Sequence, residues 1–175
     1  MSWSLLGPEM AATAVSDLVI QEREMDLVAG THGRGIYRTC IQPIQQAFKD
    51  GMPKENILFD TPVARLPWIS DTHRDPKDSS AEKVPITFYL TEAGDVTLSV
   101  LGKNDKAVWS AKLAGGKGFN QIRWDLVTGE VVKNEAYFWQ YKQFARAGEY
   151  KLVISGEGVD LRGKLIIVDR ETPDF

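Results

Sequence analysis

The sequence predicts a mainly β protein: a three-stranded antiparallel meander, then a short helix with an extended connector, then an antiparallel β-sandwich. Three observations carry that prediction. Residues 26–37, DLVAGTHGRGIY, run an apolar strand into a polar, Gly-rich turn and out into a second strand. From Val84 onward apolar and polar residues alternate, and turn residues recur about every ten positions, as in sandwich strands. Between the two, helical spacing occurs over one stretch, too short to persist without packing.

The meander takes residues 14–20 (AVSDLVI) as its first strand and Glu22, Arg23 and Glu24 as the polar turn. Residues 26–29 are apolar and partly β-branched, which suits a buried strand, and Ile36 and Tyr37 open the return strand. A lone sheet of three strands would leave Leu18, Ile20, Leu27, Val28 and Ile36 poorly covered. The meander is expected to dock on the sandwich or to be the edge of something larger.

Pro43 suits the first turn of a helix, Ile44, Ala47 and Phe48 fall at helical spacing, and Gly51 ends it. Pro53, Pro62 and Pro67 impose an extended path around the apolar run 57–59, a path that cannot enter the middle of a sheet. Trp68 is expected to plug this connector onto a neighbour. Residues 70–83 hold no large apolar side chain and read as a linker or exposed loop. The expected divisions are residues 1–40 for the meander, 41–83 for helix and linker, and 84–170 for the sandwich.

Sandwich strands are expected at residues 84–90, 95–101, 107–113, 120–126, 150–155 and 163–168. Val96, Leu98 and Val100 share one face; Ile122, Trp124 and Leu126 share another, with Tyr150, Leu152 and Ile154 as a facing layer. Residues 127–147 depart from the plain pattern. They concentrate Tyr137, Phe138, Trp139, Tyr141 and Phe144, and a strand over 136–143 and a short helix both fit.

Composition removes several classes of function. The chain has 175 residues, 43% of them hydrophobic, enough for a core, and a net charge of −3 offers no basic footprint for nucleic acid. No apolar run is long enough for a membrane span. Residues 1–8 lack the basic head and apolar segment of a signal peptide, so no export signal is expected in the chain as written. The single cysteine, Cys40, excludes an internal disulfide and is expected as a small half-buried residue at a strand end.

Candidate sites are few. In the turn His32, Gly33, Arg34, Gly35, backbone amides and a guanidinium would suit an anion, but no helix start or phosphate-loop spacing follows. A structural turn, with glycines at positive φ and Arg34 bracing neighbouring loops, accounts for it better. Asp71, His73, Asp75 and Asp78 alternate like a metal loop, yet lack the turn glycine and closing glutamate, and a solvated linker fits better. His32 and His73 build no nucleophile set, no carboxylate pair is arranged for glycoside hydrolysis, and no cofactor is implied. Tyr137, Trp139, Tyr141 and Phe144 form the candidate binding surface, since aromatic faces stack on sugars or anchor protein partners. The competing role is that they complete the sandwich core or cover the helix.

One family shares these motifs. Trp3, residues 17–20 (DLVI), Arg23 and Glu24, residues 26–28 (DLV) and residues 31–37 (THGRGIY) resemble the last blade of sortilin-like, BNR-repeat β-propellers of bacterial glycosyl hydrolase-like proteins. Residues 118–126 (GFNQIRWDL) and 148–153 (GEYKLV) are similar to the Ig-like sandwich that follows that blade, and to the Ig-like domain of flagellar hook scaffolding proteins. The resemblance implies a partial propeller blade followed by an Ig-like sandwich, the C-terminal portion of a longer propeller protein. It makes the THGRG turn a mark of the blade fold. It implies a noncatalytic structural or binding module that supports the propeller or binds a glycan or protein partner, with the remaining blades as its neighbours. Two alternatives stay open: part of a sialidase-like or exo-acting glycoside hydrolase whose catalytic groups lie in other blades, or a free-standing sandwich adaptor pairing with a partner strand. Such relatives are usually exported to the periplasm or beyond.

Overall fold

In a computed structural model the chain divides into two compact units, Met1–Glu55 and Asn56–Phe175. The structure describes residue 10 and residues 12–66, 83–134 and 139–169, without the side chains of 129–134 and 139–143.

The first unit is the expected meander. β1 (Val15–Gln21), β2 (Asp26–Thr31) and β3 (Ile36–Cys40) pair antiparallel in that order, with Val19 opposite Val28 and Val28 opposite Arg38. The β1–β2 turn closes with Met25 at φ +54. Ile41 N–H then donates to Met25 O at 2.8 Å, which ties the exit of β3 back to that turn. α1 (Gln42–Phe48) follows with Pro43 in its first turn, where a missing N–H is harmless. Ile41 and Ala47 are buried beside it, while Phe48 is 38% exposed. Cys40 is exposed rather than half-buried, because β3 alternates outward at positions 36, 38 and 40.

The second unit is an immunoglobulin-like sandwich. One sheet orders β4 (Ile57–Leu58), β6 (Val84–Leu90) and β9 (Gly118–Trp124). The other orders β5 (Ala64–Arg65), β13 (Val159–Val168), β12 (Gly148–Gly156), β7 (Gly94–Leu101) and β8 (Ala107–Gly115). The first strand thus divides between sheets: β4 pairs antiparallel with β6, and β5 pairs parallel with β13. A hairpin, β10 (Val127–Asn134) with β11 (Trp139–Phe144), leads from β9 to β12.

Residues 57–66 are therefore part of the sandwich, not of a linker. Pro62 is compatible with this because it lies between the two short strands rather than within either, and both strands are at sheet edges. Phe59 N–H donates to Thr87 O at 3.1 Å and Leu66 N–H to Val168 O at 3.0 Å, extending each ladder by one bond. Asn56 fastens the start of β4: its Oδ1 accepts from Thr91 N–H at 2.8 Å and Thr91 Oγ1 at 3.0 Å, and its Nδ2 donates to Gly158 O at 3.3 Å. Trp68 and nearly all of the 70–83 stretch lie outside the described residues.

Between the sheets lies one core. Ile86, Phe88, Leu90 and Trp124 of the smaller sheet meet Leu98, Val100, Leu152, Ile154, Leu165 and Ile167 of the larger, each at most 1% exposed. Each such side chain contributes roughly 1.5–3 kcal/mol of hydrophobic stabilisation. The expected alternation holds in β6, β7, β9, β12 and β13. Several strand bounds differ from expectation by one to four residues, and two of these differences have clear physical causes. β13 begins at Val159, four residues before the expected start, because a two-residue turn at Glu157 and Gly158 lets β12 and β13 pair along their whole length. β9 ends at Trp124 and Leu126 does not continue it: Leu126 reaches the core through φ +64, a left-handed corner rather than strand alternation.

Candidate functional site

The residues that stand out in sequence are foremost those that build the sandwich. Gly118 has φ +104, a conformation open to glycine. Asn120 then imitates a backbone strand across the tight turn between β8 and β9. Its Oδ1 accepts from Gly116 N–H at 2.8 Å, and its Nδ2 donates to Gly116 O at 2.7 Å and Gly118 O at 3.0 Å. The Trp124 indole stacks on Trp109 with centroids 5.3 Å apart, and its Nε1–H donates to Val127 O at 2.9 Å. Asp125 Oδ1 accepts from Val127 N–H at 3.2 Å, and Leu126 O accepts from Ala145 N–H at 2.8 Å. Every marked position of GFNQIRWDL serves the turn or the corner. The second motif behaves alike: Tyr150 Oη–H donates to Arg146 O at 2.8 Å, the tyrosine corner of immunoglobulin-like sandwiches.

The turn at His32, Gly33, Arg34 and Gly35 is also structural in its geometry. Gly33 and Gly35 have φ of +78 and +87. Thr31 closes the turn, donating through N–H at 3.2 Å and Oγ1–H at 2.6 Å to Gly35 O. His32 N–H donates to Ala14 O at 3.0 Å, and Thr13 Oγ1–H to His32 O at 3.4 Å, so the turn is anchored to the entry of β1. The expected brace by Arg34 is not found: its side chain is exposed, and it makes no hydrogen bond or ion pair among the described residues. The cation that is used is Arg38, whose Nη1 lies 3.4 Å from Oδ2 of the buried Asp26.

The aromatic candidates separate. Residues 139–144 form a strand, which decides between the two expected conformations. Strand alternation sets position 144 on the opposite face from positions 139 and 141. Phe144 is partly buried and packs against the sandwich core, the position that the core-completing role assigns to it. Tyr137 lies outside the described residues, as do the side chains of Trp139 and Tyr141 and the weak metal candidates Asp71, His73, Asp75 and Asp78. Among the described residues no three His, Cys, Asp or Glu side chains converge on a metal-sized space, and no helix is long and apolar enough to cross a membrane.

The outer face of the five-stranded sheet carries exposed charge in pairs. Arg162 donates to Asp160 at 3.2 Å, and that hydrogen bond, with the carboxylate's charge, holds the guanidinium above its usual range. Lys151 meets Asp105 at 2.6 Å. Such exposed pairs add little to stability.

Sequence patterning left one property open that the structure decides: how well the meander's apolar residues are covered. All seven residues of β1 are exposed. Leu18 and Ile20, on one face, are 59% and 51% exposed; Val19 and Ile36, on the other, are 55% and 77%. Leu27 and Val28 are partly covered. The signal for this lay in the consecutive run of Leu18, Val19 and Ile20, which serves both faces of a sheet at once. Compared with known proteins, the chain matches no family model and no curated protein.

Proposed function

We propose that this chain is a noncatalytic structural and binding module, the C-terminal portion of a sortilin-like, BNR-repeat propeller protein. In this reading the meander is part of a blade and the sandwich is an adjoining support or a contact site for a glycan or protein partner. One observation carries it: a sheet with exposed aliphatic side chains on both faces. A sheet of a two-layer domain needs one apolar face, whereas a propeller blade is covered on both by its neighbours. The signature residues Gly118, Asn120, Trp124, Leu126 and Tyr150 are engaged in the fold, which directs the search for function toward partners rather than chemistry.

The testing measurement is the mass of the native protein in its source, detected with an antibody raised against the sandwich. The expected result is a polypeptide several times larger than 19.6 kDa. A native mass near 19.6 kDa would overturn the blade reading. Turnover of aryl glycosides by the 175-residue chain alone would overturn the noncatalytic one.

A further inference from the structure

The hydrogen bonds of the meander establish which way the backbone of β1 points. Thr31 N–H donates to Gly35 O, toward β3, so the odd-numbered residues of β2 bond to β3 and its even-numbered residues bond to β1. His32 N–H, even-numbered, donates to Ala14 O on the β1 side, as that alternation requires. Val19 opposite Val28 and Gln21 opposite Asp26 therefore direct their backbone groups at β2. Leu18 and Ile20 direct theirs outward. This outer edge is regular from Asp17 to Gln21, carries neither Pro nor Lys, and is flanked by aliphatic side chains on both faces. Edges of that kind recruit further strands unless something blocks them. Among the described residues one group does: Asp17 Oδ1 accepts the outward Leu18 N–H at 2.8 Å.

We infer that Asp17 is an edge guard, whose carboxylate occupies the outward donor of Leu18 and keeps β1 from pairing with β1 of a second copy of the chain. A second copy is the occupant this edge fits. Antiparallel pairing about Val19 sets Leu18 against Ile20 of the other copy, joining the residues whose backbone groups point outward. The same register sets Asp17 against Gln21, so no like charges face each other. An entering strand must first take Leu18 N–H from the carboxylate. The inference goes beyond the blade reading, which concerns the faces of the sheet and not its edge.

The test compares the full wild-type chain with Asp17→Ala, Asp17→Asn and Asp17→Ala/Ile20→Pro by size exclusion with light scattering over a concentration series. Exchange at the Val28 amide, which the alternation directs at β1, reports that β1 stays paired in each; where Asp17→Ala lowers that protection, Asp17→Val is read in its place. Asp17→Ala is expected to dimerise at least about tenfold more tightly than wild type, the factor for one charge-assisted hydrogen bond lost from the monomer. Protection of the Ile20 amide should rise with concentration. Asp17→Asn retains an acceptor oxygen without its charge and should fall between wild type and Asp17→Ala. Ile20→Pro removes one outward donor without breaking the β1–β2 ladder, so the double variant should return to wild-type behaviour. The guard is overturned if Asp17→Ala associates no more than wild type, or if Asp17→Asn associates as strongly as Asp17→Ala. Association that persists in the Ile20→Pro double variant would overturn the β1 edge as its route.

Discussion

Replacing Asn120 with alanine removes three hydrogen bonds of 2.7–3.0 Å from the β8–β9 turn. The geometry admits one orientation of the amide, since the oxygen faces an N–H and the nitrogen faces two carbonyls. Each bond contributes about 0.5–1.5 kcal/mol net, and the turn is mostly exposed, so a total loss of about 2 kcal/mol is expected. Asn120→Asp keeps the acceptor for Gly116 N–H but loses both donors, so about 1–2 kcal/mol should be lost. The assay is urea unfolding followed by near-ultraviolet circular dichroism, which the stacked Trp109 and Trp124 should dominate in the sandwich. With a slope of about 1–3 kcal/mol per molar urea, Asn120→Ala should lower the midpoint by about 1 M at an unchanged slope. A midpoint within about 0.2 M of wild type would refute the claim that this side chain stands in for backbone in the turn. Wild-type stability in Asn120→Asp would refute the part assigned to its donors.

Position 126 should reverse the usual order of small residues. Leu126→Gly and Leu126→Ala both empty a fully buried site, but only glycine adopts φ +64 without strain. Thermal or urea unfolding should rank Leu above Gly and Gly above Ala, the last gap being about 1 kcal/mol. At Gly163 an added Cβ would lie 2.8 Å from Leu58 Cδ2 and 3.4 Å from Leu58 Cγ. Gly163→Ala should therefore destabilise by about 1–3 kcal/mol, and a double-mutant cycle with Leu58→Ala should recover part of the loss; strict additivity would refute the clash.

Much of this organisation was legible in the residues. Turn glycines and β-branched runs marked the meander, and alternation marked β6, β7, β9 and β12, because side-chain period is a local property of a strand. The helix was legible from Pro43, Ile44 and Ala47 for the same reason. The short strands β4 and β5 were not, since two residues carry no period, and what makes them strands is a ladder offered by β6 and β13 from far along the chain. Cys40 was misplaced because the sequence does not say which face of β3 is covered, and positions 36, 38 and 40 fall on the exposed one. Of the candidate site, the turn at residues 32–35 was legible as a turn, whereas the absence of an Arg34 brace among the described residues was not.

By itself the sequence determined the β class, the order of meander, helix and sandwich, and the alternating faces of several sandwich strands, because these follow from residue type and periodicity. Tertiary structure alone decided the division of the first sandwich strand between two sheets, the left-handed entry of Leu126, the packing of Phe144 against the core, and the outward groups of β1 that Asp17 guards. Those features arise from pairing partners distant in sequence. A residue's type states what it prefers to bury or bond, and only the assembled sheets state what is there to bury it against.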